Sequence, residues 1–187
     1  MGIPILYIFG ASGSGTTTLG HAASDALGWK QFDIDDYYWL PTDPPFTEVR
    51  PKEERLPLLL RDMEGASGAV ITGWGKGWIH PLLPEFTLAV RLVLEPSIRL
   101  ERLAQRERAD FGTRLEPGGD MHDQFVEFMD WAAQYETGDL TMRSKASQDV
   151  WQEQLCCPVM TLDSADSVAD NLARVLERLN KKEIQSL

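Results

Sequence analysis

The run Gly10-Ala11-Ser12-Gly13-Ser14-Gly15-Thr16-Thr17-Thr18 carries the clearest chemistry in the chain. Glycines at this density let a backbone turn so that successive N–H groups point inward, which makes a concave site for an anion. The spacing Gly10-x-x-x-x-Gly15-x-Thr17 matches a phosphate-binding loop at every place but one: where that pattern has lysine, this chain has Thr16. Thr17 falls where such a loop offers a hydroxyl to Mg²⁺. Gly10, Ser12, Gly13, Ser14, Gly15, Thr16, Thr17 and Thr18 are therefore the expected nucleotide contacts. Losing one charge-assisted hydrogen bond costs on the order of 1.5–3 kcal/mol, which binding survives. Phosphoryl transfer depends more heavily on positive charge, so another cation is expected to stand in.

Two sources of that charge are legible. Lys76 lies in the glycine loop Gly73-Trp74-Gly75-Lys76-Gly77-Trp78. Arg102, Arg106, Arg108 and Arg114 form the second group, and Arg99, Arg102 and Arg106 share one helix face by their i, i+3, i+7 spacing. An arginine-rich helix, a Gly/Pro loop and a further helix suit a closing lid over residues 102–125. Glu101 and Glu107 leave a plain solvated face as the alternative. Asp33, Asp35 and Asp36 crowd one short stretch. Asp35 is the expected carboxylate for hydrated Mg²⁺ or for an acceptor's proton; capping a turn is the competing role. Tyr37, Tyr38, Trp39, Trp74 and Trp78 either wall a pocket for a planar or hydrophobic acceptor or pack their own loops. His21, His80 and His122 show no metal spacing, and the adjacent Cys156-Cys157 read as reduced core residues.

The elements that must position these residues alternate. Residues 5–9 are a β-rich apolar run leading into the glycine loop, and residues 16–27 read as a helix stopped by Gly28. Strands are expected over 29–34, 69–72, 87–94 and 158–162, and helices over 52–63, 98–109, 121–135, 140–155 and 167–181, with a short one at 79–83. The prolines at 41, 44 and 45 make that stretch a loop. Strands alternating with helices predict an α/β, three-layer sandwich on a five-stranded parallel sheet, in one domain spanning 1–187. In such a sheet ligands bind at the carboxyl ends of the strands, where the three unusual loops collect.

Bulk properties narrow the function. A chain of 187 residues with 43% hydrophobic and 25% charged residues suits one ordinary globular domain. A net charge of −11 repels phosphate backbones, so nucleic acid is not an expected partner. The apolar run near the N-terminus is too short and lacks the basic start of a secretory leader, and no segment reaches membrane-spanning length. A cytoplasmic protein without a membrane partner is expected.

With those residues in order, the chain resembles bacterial adenylate-kinase-like P-loop ATPases, and more distantly shikimate and nucleoside monophosphate kinases. The resemblance runs through Gly10 to Leu19, Asp33-Ile34-Asp35-Asp36-Tyr37-Tyr38-Trp39, Arg106-Glu107-Arg108 and Pro117-Gly118-Gly119-Asp120-Met121. It implies strand order 2-3-1-4-5, a P-loop NTPase core with a helical lid, ATP and Mg²⁺ at the loop, and adenine near residues 163–166. The expected function is a small-molecule kinase moving the γ-phosphoryl of ATP to a nucleotide, nucleoside or other small acceptor. In it Asp35, Arg102, Arg106 and Lys76 would be catalytic, Arg114 would bind nucleotide, and Thr17 with Asp35 would hold Mg²⁺, partly through water. The alternative is a nucleotide-binding module with weak or no catalysis, because Thr16 replaces the lysine.

Overall fold

The first strand is apolar at every position, as a parallel strand covered on both faces must be. In the computed structural model, which describes residues 2–185, β1 (Ile5–Gly10) is wholly buried at the centre of the sheet. It pairs in parallel with β3 (Ala69–Thr72) on one side and β4 (Leu88–Val93) on the other. Outside these lie β2 (Lys30–Asp33) and β5 (Val159–Asp163), giving the expected order β2-β3-β1-β4-β5. Side chains alternate across a strand. Ile5, Tyr7 and Phe9 accordingly enter one core layer with Phe32, Ile71, Phe86 and Trp151. Leu6 and Ile8 enter the other with Leu19, Ala23, Val70 and Val175. Helices α1 (Thr16–Leu27) and α7 (Val168–Gln185) cover this second face, so the sheet is the middle of three layers.

Helix α1 begins after Gly15 (φ 85°) and stops at Gly28 (φ 65°), both left-handed positions that suit glycine. Helix α3 (Lys52–Asp62) and α4 (Pro96–Phe111) follow the sequence closely; α4 starts on Pro96, and Glu95 accepts the Ile98 N–H at 3.0 Å. The stretch expected as a loop after α4 winds into a 3-10 turn at Gly112–Leu115 before α5 (His122–Ala133).

Three expectations are corrected. The second strand spans Lys30–Asp33 rather than 29–34, and a helix not expected there follows: Asp33 accepts the Asp35 N–H at 3.1 Å and caps α2 (Ile34–Tyr38). The helix expected over 140–155 forms only as α6 (Lys145–Gln152), because Ser144 caps it through the Ser147 N–H at 3.0 Å. Residues 139–144 are thereby released into a loop at the strand ends. Cys156 is exposed rather than part of the core; Cys157 packs against the first layer. Among the described residues no helix is long and apolar enough to cross a membrane.

Candidate functional site

The loop between β1 and α1 is held from below as much as by its own turns. Gly13 sits at φ 83°, and a Cβ there would stand 2.7 Å from the Arg99 carbonyl. A Cβ on Gly10 would meet the Ser14 hydroxyl at 2.5 Å and the Leu92 carbonyl at 2.6 Å. Only glycine fits either place. Arg99, 1% exposed, donates to the Ser12 carbonyl (3.1 Å), the Ala132 carbonyl (3.1 Å) and Glu136 (3.1 Å), clamping the loop to α4 and the end of α5. Ser14 N–H turns back to the Ala11 carbonyl at 3.1 Å. Among the described residues the amides of Gly13, Gly15, Thr16 and Thr17 have no backbone acceptor, and α1 has no side-chain cap. A row of unpartnered N–H groups at a helix N-terminus is a site made for an anion.

Beside these amides Thr17 Oγ1 donates to Asp33 Oδ2 at 2.8 Å, and Thr72 Oγ1 donates to the same oxygen at 2.9 Å. The carboxylate against Thr17 is thus Asp33, and Asp35 is the second residue of α2. A hydroxyl and a carboxylate at this distance are hard oxygen donors of the kind Mg²⁺ takes together with substrate phosphates. Among the described residues no group of three or more His, Cys, Asp or Glu could hold a metal unaided. Asp35 lines the cleft, and burial by the surrounding protein raises its carboxyl above the usual range; Arg143 opposes this and Asp33 adds to it. Asp36 is raised for the same first reason, with Asp33 contributing.

The cleft itself, about 1690 Å³, runs over Gly13 to Thr18 and along the carboxyl ends of the sheet. Tyr38, Trp39 and Phe46 line it on the α2 side and Phe125, Phe128 and Trp131 on the α5 side, with Trp74 and Trp78 also reaching it. Tyr37 does not: it is buried, and its hydroxyl donates to Asp62. At the far end residues 164–168 form the wall.

The expected cations are divided. Arg102 and Arg106 line the cleft; Arg102 donates to the Ser164 carbonyl at 3.1 Å, and Arg106 pairs with Glu107. Lys76 also lines it, but its ammonium is committed to the Leu140 carbonyl (2.8 Å) and the Ser147 hydroxyl (3.0 Å). Arg114 does not line the cleft: it pairs with Asp43 (2.7 Å) and Asp120 (2.6 Å). A cation that sequence reasoning missed is present instead. Arg143 lines the cleft and donates to the Gly10 carbonyl from Nη2 (2.7 Å) and Nε (3.2 Å). The Ser144 cap signal was the feature that could have set Arg143 outside α6 and into the loop.

No family model matches the chain. It is 37% identical over 175 residues to the uncharacterized protein YqaC of Bacillus subtilis (strain 168), a match covering 94% of this chain and 97% of that one. In structure it is similar to shikimate kinase from Bacteroides thetaiotaomicron (TM-score 0.57, 18% identity, 95% of this chain and 98% of that one). It is also similar to deoxyadenosine kinase from M. mycoides with bound dATP (TM-score 0.56, 13% identity, 94% and 99%). Shikimate kinase from Aquifex aeolicus is a third such structure (TM-score 0.53, 12% identity, 96% and 98%). The fold is therefore that of P-loop small-molecule kinases.

Proposed function

The chain belongs to the family of the Bacillus subtilis protein YqaC, and from that premise we propose that it is an ATP-dependent kinase for a small acceptor. The observation that carries this reading is the row of unpartnered amides at the start of α1, opening onto the cleft beside Thr17 and Asp33. Those amides and the positive end of α1 bind the β- and γ-phosphates. Thr17 and Asp33, with Asp35 nearby, would hold Mg²⁺, which when bound would neutralise phosphate charge. Adenine lies against residues 164–168. The segment 102–125 closes as the lid, carrying Arg102 and Arg106 toward the phosphates.

Asp35 takes the acceptor's proton. Its raised carboxyl makes it a stronger base toward that proton. The two aromatic walls favour an acceptor with a planar or apolar face over a compact polyol. Thr16 favours a second reading, a nucleotide-binding module with little turnover. Incubating the protein with MgATP and a panel of nucleosides, nucleotides, sugar acids and small alcohols separates the two. The kinase reading expects ADP together with one phosphorylated acceptor. ATP bound tightly with no transfer to any member of the panel would sink it and leave the binding module.

A further inference from the structure

Arg143 differs from the other cleft-lining cations in what it is not bonded to; Arg55 also spends its guanidinium on one carbonyl, that of Arg50, but does not line the cleft. Arg99 faces Glu136, Arg91 faces Asp149, and Arg106 faces Glu107. Arg102 and Lys76 are spent on carbonyl and hydroxyl oxygens. Arg143, half-buried, makes no ion pair among the described residues, and its Nη1 has no protein partner there. Its only acceptor is the Gly10 carbonyl at the foot of the phosphate loop. Asp35 and, less strongly, Asp33 attract it through space, but neither forms an ion pair with it. A guanidinium so placed is a desolvated charge with no directly bonded counter-charge among the described residues.

Nor does the Gly10 carbonyl need it. Gln148 Nε2 donates to the same oxygen at 2.8 Å and is itself fixed by the Tyr135 hydroxyl at 2.8 Å. Arg143 can therefore leave without orphaning a buried acceptor.

We propose that Arg143 replaces the missing P-loop lysine, contacting the β- and γ-phosphate oxygens of ATP from the opposite wall of the loop. This rests on the reading of the site as an ATP site. In the transfer, the acceptor oxygen bonds to the γ-phosphorus and its proton passes to Asp35. The electron pair of the breaking P–O bond leaves on the β-phosphate oxygen of ADP. Arg143 offers a fork of donors to the phosphoryl oxygens throughout. Position 16 lines the same cleft, so a lysine there would point its charge into the same space from within α1.

The test titrates MgATP and MgADP calorimetrically into the intact wild-type chain and into Arg143→Lys, Arg143→Gln and Arg143→Gln/Thr16→Lys, with the melting temperature of each. Expected is a loss of roughly tenfold to a hundredfold in ATP affinity for Arg143→Gln, a smaller loss for ADP, and most affinity kept by Arg143→Lys. Thr16→Lys should restore ATP affinity in the Arg143→Gln background. Wild-type ATP affinity in Arg143→Gln overturns the proposal. So does equal weakening in the Lys and Gln variants without rescue by Thr16→Lys, which would make Arg143 a staple of the Gly10 carbonyl. A wild-type chain that binds no MgATP overturns the nucleotide reading beneath it.

Discussion

Asp33 has two roles that substitution can pull apart. Replacing it by alanine removes the acceptor of three donors: the Asp35 N–H at the start of α2, the Thr72 hydroxyl and the Thr17 hydroxyl. Loss of a helix N-cap costs about 1 kcal/mol. Thr72 is fully buried, so its stranded hydroxyl adds about 1–3 kcal/mol, whereas water replaces the partner of exposed Thr17 at little cost. The total, about 2–4 kcal/mol, lowers the melting temperature of a chain this size by roughly 4–16 °C. Asparagine caps a helix as well as aspartate does, and hydroxyls rotate to accept from its amide. Asp33→Asn should therefore melt within a few degrees of wild type while losing the charge that draws Mg²⁺. Thermal unfolding followed by circular dichroism, paired with ATP titrations at increasing Mg²⁺, reads both effects. An alanine variant as stable as wild type would refute the hydrogen-bond accounting. An asparagine variant with unchanged Mg²⁺ dependence would reduce Asp33 to a cap.

Arg99→Ala strands the Ser12 and Ala132 carbonyls while exposed Glu136 turns to water; at about 1–3 kcal/mol for each stranded acceptor, urea unfolding should show a clear loss with weakened ATP binding. Lys76→Ala should cost about 1–2 kcal/mol through Leu140 and Ser147 and leave calorimetric ATP affinity unchanged, because that ammonium is already committed. Asp35 carries a pH signature. Its folded carboxyl is raised above the unfolded value, so the folded state binds the proton more tightly and stability falls as pH climbs through that window. Asp35→Asn removes this slope and should melt higher than wild type at neutral pH, while any phosphoryl transfer is lost.

The framework was legible because its signals are local and periodic. The fully apolar residues 5–9, the glycine spacing from Gly10 and the alternation of strands with helices led to the sheet and its loop. What escaped depended on caps. Asp33, Asp35 and Asp36 offer three adjacent carboxylates, and only the turn of the chain into α2 decides which faces Thr17. Arg143 falls inside the helix expected over 140–155, whose first turn begins only after the Ser144 cap. Arg114 belonged to an arginine cluster in sequence, but two aspartates, one of them Asp43 far along the chain, claim it in space. No periodicity encodes such a long-range pairing.

The central claim is that the amides of Gly13, Gly15, Thr16 and Thr17 bind the phosphates of ATP. A crystal structure with a non-hydrolysable ATP analogue and Mg²⁺ tests it directly. Expected are the β-phosphate within hydrogen-bond reach of those amides and the ion against Thr17. A triphosphate seated elsewhere in the cleft, with the amides left to water, would contradict it.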